Sequence, residues 1–284
     1  MHAGETETDA DLVARLIAEQ FPTLGALEVR PVGEPGTVNA VFRLGDGLCV
    51  RLPRRDDWVA DLERELRWLP ELAPHLTLQV PQPVGTGVAS PLFPRPWAVY
   101  RWIEGAPYAD EHESAESLAA SDLARFVTSL RGITPPGDAP AGGRRPLPEL
   151  DDATRAVLDP VALPAWEDAV SAPAFTGEPL WLHGDLLRPN LVMHRGRLAA
   201  VLDFGGVGVG DPAADVVPAW AVFGAVGRRV FREALGVDDD TWRRARGFAL
   251  HQAAMIIPYY AESNPSFVAH ARRTVNEVVA DFGG

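Results

Sequence analysis

The stretch Trp181-Leu-His183-Gly-Asp185-Leu-Leu-Arg-Pro-Asn190, followed by Leu202-Asp203-Phe-Gly205, decides how this chain is to be read. Asn190 lies five residues after Asp185, and Asp203 eighteen residues after it. This is the H-x-D-L-x-x-x-N and D-F-G spacing of a phosphoryl-transfer site. Moving a phosphoryl group asks for little covalent help from protein. It needs a carboxylate to orient the attacking hydroxyl and oxygen ligands that hold Mg²⁺ against the phosphates. Asp185 suits the first role, and Asn190 with Asp203 the second.

The flanking residues give the motif a local frame. Leu191-Val-Met193 and Leu198-Ala-Ala-Val-Leu202 read as short buried strands, with His194-Arg-Gly-Arg197 as the turn between them. A β-hairpin therefore sets the separation of the two metal ligands. A hairpin carrying incidental acids is the bland alternative, and the agreement of spacing with context argues against it.

With these residues in view, the chain resembles the aminoglycoside phosphotransferase family, bacterial small-molecule kinases with the protein-kinase-like fold. Gly208-Val-Gly-Asp211-Pro-Ala-Ala-Asp215 resembles the family's continuation after the second metal ligand. Val50-Arg-Leu-Pro53, Glu63-Arg-Glu65 and Val99-Tyr-Arg-Trp-Ile-Glu-Gly105 fall in family order. The similarity spans about residues 25–280 and is specific for fold and reaction type, less so for the acceptor.

Composition is in keeping with such an enzyme. At 284 residues and 46% hydrophobic content, the chain can bury a sizeable core. No apolar run reaches 18 residues, and the acidic opening Met1-His-Ala-Gly-Glu-Thr-Glu lacks the features of an export signal, so no membrane partner is expected. The single cysteine, Cys49, sits in an apolar run and reads as a buried small hydrophobe in a reducing, cytoplasmic setting. The net charge of −13 argues against nucleic acid. All 26 basic residues are arginine, and lysine is absent.

Periodicity divides the chain into an α+β arrangement. A helix is expected over 9–20, strands over 27–32, 40–44, 48–52 and 97–103, and a helix over 58–72 that Pro70 ends or bends. Residues 1–103 would form a β-rich N-lobe that covers the nucleotide. Residues 104–284 would form a larger, mostly helical C-lobe, with the site between the two. Helical patterns there cover 114–131, 152–158, 213–223, 227–235, 239–262 and 265–281. Residues 133–145, rich in proline and glycine, read as a mobile loop.

The resemblance implies further site residues. A cation on the third strand holds the nucleotide phosphates and pairs with a helix glutamate. With no lysine available, Arg51 takes that position, and Glu65 matches the partner better than Glu63. Thr37, in the loop Gly33–Asn39, could donate to phosphate, and the main chain around Tyr100–Ile103 would meet adenine with Trp102 packing nearby. His183 reads as a loop-holding residue, Arg188 as either a phosphate ligand or a surface residue, and Asp211 and Asp215 as structural acids. Trp220, His251, Tyr259, Tyr260 and Glu262 are the candidates for the acceptor pocket. The implied activity is Mg²⁺- and ATP-dependent phosphorylation of a hydroxyl, with GTP as an alternative donor and an aminoglycoside-like antibiotic as acceptor. A kinase of an amino alcohol or sugar, and a non-catalytic nucleotide-binding relative, stand beside it.

Overall fold

A computed structural model describes residues 6–32, 38–109 and 115–283. The chain forms two compact units. The first comprises residues 1–73, 80–104 and 203–205, and the second residues 74–79, 105–202 and 206–284. Compared with a division at 103/104, residues 74–79 go to the second unit, and Glu104 and Asp203–Gly205 go to the first.

The first unit is built on a five-stranded antiparallel sheet of order β1-β2-β3-β5-β4. Its strands are β1 (Val29–Pro31), β2 (Asn39–Leu44), β3 (Leu48–Pro53), β4 (Pro83–Gly87) and β5 (Trp97–Arg101). Side chains alternate across the sheet. Phe42, Leu44, Val50, Leu52, Trp97 and Val99 form a core with Leu12, Val13, Leu16 and Ile17 of helix α1 (Ala10–Gln20). The intervening residues Cys49, Ala98 and Tyr100 form a second cluster with Leu62, against which Leu66 and Trp102 pack. Helix α2 (Val59–Leu72) supplies that cluster from a stripe of Leu62, Glu65, Trp68, Leu69 and Leu72, spaced three and four apart. Glu65 falls on the buried stripe and Glu63 on the exposed side. Pro70 lies inside the helix without ending it.

The second unit holds two small sheets and most of the helices. Strands β6 (Ala106–Pro107), β8 (Leu191–His194) and β9 (Arg197–Val201) form one sheet, and β7 (Leu180–Leu182) pairs antiparallel with β10 (Gly208–Gly210) in the other. The β8–β9 turn has Arg195 and Gly196 both at positive φ, the twist that suits a tight hairpin. The helices are α3 (Glu116–Arg131), α4 (Leu147–Arg155), α5 (Leu163–Val170), α6 (Pro218–Ala221), α7 (Ala225–Leu235), α8 (Asp239–Tyr259) and α9 (Pro265–Gly283).

Three expectations change. Residues 213–223 are not one helix: Pro212 and Pro218 each restart the chain, giving a 3₁₀ turn and the short α6. Helix α5 carries no sequence expectation and α4 begins at Leu147, ahead of the expected 152. The 133–145 segment is anchored rather than loose. Gly142 N–H donates to the Val209 carbonyl, and Val209 N–H donates to Pro140, fastening the segment to β10. No helix among the described residues is long and apolar enough to cross a membrane.

Candidate active site

Sheet alternation puts Arg51 on the α2 face of β3, where its guanidinium Nη1 donates to Glu65 Oε1 at 2.8 Å. Tyr100, on the adjacent strand β5 and the same face, donates its hydroxyl to the same oxygen at 2.6 Å. The other oxygen, Oε2, accepts the Phe204 backbone N–H at 2.8 Å. One carboxylate thus joins two strands to the segment that follows Asp203. Arg51 Nη2 also lies 3.6 Å from Asp203 Oδ1. Burial opposes the Arg51 charge, but Glu65 and Asp203 outweigh it and push its pKa further up. Burial and the neighbouring Glu65 likewise raise the Tyr100 phenol, which remains a neutral donor. The Cys49 thiol, also on this face, is pushed up to about 11 by burial and behaves as a small apolar residue.

Asp203 itself has φ of +64°, a left-handed conformation unusual for a residue with a side chain. Gly205 follows because α2 leaves no room: a Cβ there would come within 2.8 Å of Asp61 Cβ. The Asp61 carboxyl is raised by burial, with Arg64 lowering and Asp203 raising it.

In the second unit, the catalytic-loop motif is held by main-chain bonds to one buried acid. Asp215 accepts the N–H groups of His183 at 2.7 Å and Gly184 at 2.8 Å. The His183 ring donates from Nε2 to the Leu202 carbonyl at 3.0 Å and accepts from the Asp185 N–H at Nδ1. Those two bonds hold the buried ring against both halves of the motif. Leu202 N–H donates to the Asn190 carbonyl at 2.8 Å, closing the hairpin one residue before Asp203.

Asp185 is held at both oxygens. Asn190 Nδ2 donates to Asp185 Oδ2 at 3.0 Å and to the Asp185 carbonyl at 2.9 Å, so the Asn190 amide oxygen points away from the carboxylate. Gln252 Nε2, from α8, donates to Oδ1 at 2.9 Å. Arg144, half-buried in the anchored segment, adds a positive charge felt by Asp185 and Asp215. Burial still lowers its own pKa despite those acids. Its Nε is buried with no hydrogen-bond partner among the described residues.

The profile of the phosphotransferase enzyme family (APH) matches residues 28–248. The chain belongs to this family. It is a small-molecule phosphotransferase. Viomycin phosphotransferase of Streptomyces vinaceus is 30% identical over 292 residues, covering 87% of this chain and 92% of that protein. Among solved structures, the GDP complex of aminoglycoside 2'-phosphotransferase-IIIa superposes with a TM-score of 0.75 at 19% identity, over 97% of this chain and 100% of that one. The apoenzyme of macrolide 2'-phosphotransferase from Brachybacterium faecium has a TM-score of 0.65 at 22% identity, over 94% and 98%. These neighbours share the kinase-like α+β fold.

Several expected residues of the phosphotransferase lie apart from these clusters. Trp220 is corrected to a core residue: it is fully buried, its Nε1 donates to Asp281, and its ring meets Trp242 at 4.5 Å. Arg188 is not a surface residue: its guanidinium is buried and donates to the Val222 carbonyl. Asp211 caps the 3₁₀ turn at Ala213 N–H and pairs with Arg244. Tyr259 is exposed and edge-stacked on Tyr260, which meets Phe267 of α9; Glu262 is exposed in the following turn. Seven residues separate Tyr259 from Gln252, about 10 Å along the helix, so this aromatic group joins α8 to α9 at a distance from Asp185. Tyr100 serves through its phenol, and its backbone pairs within the sheet; the Trp102 N–H is taken by the Gly47 carbonyl. Thr37 lies outside the described residues.

His251 is adjacent to the site through α8 and bonds Thr154 Oγ1 at 2.8 Å. Burial, then the charges of Arg144 and Arg145, bring its pKa down to about 4. The unfolded chain would protonate near 6.5, the folded chain only near 4, so stability is fully present above 6.5 and falls as pH drops across that window. The melting midpoint of the wild type should therefore fall more between pH 6.5 and 4 than that of His251→Gln, by roughly 2–4 °C. Parallel curves for the two proteins would show that His251 titrates normally.

Proposed function

We propose that this phosphotransferase moves the γ-phosphoryl of a nucleoside triphosphate to a hydroxyl of an antibiotic-like small molecule. The observation that carries the reading is the partly exposed Asp185 carboxylate, oriented by a side-chain amide at each oxygen. An acceptor hydroxyl would donate to Asp185 while its oxygen attacks phosphorus. The bond to the bridging oxygen breaks, its electron pair leaves with the nucleoside diphosphate, and the hydroxyl proton passes to the carboxylate.

The acids and amides present suit Mg²⁺. Among the described residues no group of three His, Cys, Asp or Glu side chains could hold a metal, and Mg²⁺ carried by substrate phosphates needs only one or two protein oxygens. The Asn190 amide oxygen, turned away from Asp185, and the partly exposed Asp203 carboxylate would supply them. The ion would neutralise charge on the phosphates. Arg51, neutralised on one side by Glu65, would take the lysine's place at the phosphates. The main chain at Ile103, beyond the paired residues 100–102, would meet the base.

Incubation with γ-labelled ATP or GTP and viomycin, kanamycin, gentamicin, streptomycin or a macrolide tests the reading. Label should pass to at least one of these antibiotics. Transfer only to amino alcohols or sugars would favour the metabolic kinase, and no transfer at all would favour a nucleotide-binding relative.

Arg51→Ala should weaken nucleotide binding by ~1.5–3 kcal/mol, the worth of a charge-assisted bond, whereas Arg55→Ala should change it by about 0.5 kcal/mol or less. Arg55 pairs with the exposed Asp57 instead. Glu65 keeps its Tyr100 and Phe204 donors in the Arg51 variant, so calorimetry on folded protein is feasible. Equal affinities in both variants would remove Arg51 from the nucleotide site.

A further inference from the structure

Gln252 lies 67 residues from Asp185 in sequence, and its amide reaches the carboxylate's Oδ1 at 2.9 Å. The terminal torsion of an aspartate is broad, so one donor does not hold the carboxylate plane. Asn190 reaches Oδ2 and the backbone carbonyl, and Gln252 reaches the other oxygen, so the two amides grip the carboxylate from two elements. Gln252 also lines a cavity with Leu187, Ala249, Ala253, Ile256 and Phe267. The same residue therefore borders that cavity and donates to the carboxylate that accepts the hydroxyl proton.

We infer that Gln252 is a positioning residue for phosphoryl transfer, fixing the rotation of Asp185 and tying that carboxylate to helix α8. This rests on Asp185 being the group that receives the proton. The Gln252 donor is a neutral amide outside the metal ligands, so it orients Asp185 whether or not Mg²⁺ engages Asn190. Nothing in the reaction consumes it: the proton passes to Asp185, and Gln252 keeps its N–H throughout.

The test is a double-mutant cycle on the full chain with Gln252→Met, which preserves length and volume but removes the donor, and Asp185→Ala. Turnover is measured with the fastest acceptor among viomycin, kanamycin, gentamicin and streptomycin, and in parallel as nucleotide hydrolysis with water as acceptor. Gln252→Met alone should lower kcat by about 10–10²-fold, the scale of a misplaced reacting group, with KM for nucleotide little changed. In the Asp185→Ala background it should have no further effect, because the amide acts only through the missing carboxylate. Gln252→Glu, which sets a second carboxylate against Asp185, should lower kcat more than Met does. Wild-type turnover in Gln252→Met, a loss that multiplies independently with that of Asp185→Ala, or a collapse of folding seen by circular dichroism would each overturn the inference. Failure of the underlying reading is separate: it would show as retained turnover in Asp185→Ala alone.

Discussion

Asp185→Ala loses about 10²–10⁴ in kcat while nucleotide affinity stays near wild type, because the carboxylate orients the hydroxyl and does not hold the phosphates. Alanine is the cleaner probe. An asparagine would present one N–H₂ group to a place where Asn190 and Gln252 already direct two donors, so it would disturb the geometry as well as the charge. Removing the carboxylate leaves those two amides short of one acceptor each, and the partial exposure of the site lets water replace it. Stability should therefore change little compared with turnover. Single-turnover phosphoryl transfer, alongside calorimetry for the nucleotide, separates the two effects. A variant that turns over within a few-fold of wild type would assign the proton to another group.

Asp203→Asn abolishes the dependence of nucleotide binding on Mg²⁺. Asparagine tolerates the left-handed conformation that Asp203 adopts, so the substitution removes charge without adding backbone strain. It also weakens the 3.6 Å approach of Arg51, but Glu65 remains as the closer partner of that guanidinium. The expected loss in apparent metal affinity is at least the ~10–100-fold that follows from removing even an outer partner of a metal ligand. Titrating nucleotide with and without Mg²⁺ reads it directly. Curves that still separate on adding the ion would make Asp203 the end of a hairpin and nothing more.

The Arg51–Glu65 pair shows how far local pattern can reach. The family resemblance singled out Arg51 and preferred Glu65 to Glu63; in the structure, alternation along β3 and the buried stripe of α2 bring those two side chains into one ion pair. Neither periodicity foretold Tyr100 as a second donor, because that bond depends on β5 lying beside β3. Proline and glycine in residues 133–145 read as looseness, although the same small residues let the segment lie against β10. Gly142 and Gly208 pass so closely that a Cβ on either would meet the other's backbone at 2.6–2.7 Å. Trp220 shows a related limit. A tryptophan in a helical pattern carries the same sequence signature in a core as in a pocket, and only packing put Trp220 against Trp242.

The sequence by itself determined the transfer motif, because the offsets among Asp185, Asn190 and Asp203 are set by a loop and a hairpin whose hydrogen bonds are local. It also determined the strands of the sheet and the amphipathic helices. Only the tertiary structure decided what surrounds Asp185. Gln252 on α8, Arg144 in the anchored segment and Asp215 beneath the loop come from 67 residues downstream, 41 upstream and 30 downstream. Backbone periodicity encodes which side of an element a residue occupies. It does not encode which distant element will lie opposite, since that is settled when packing of the whole core outweighs the entropy of closing such long loops.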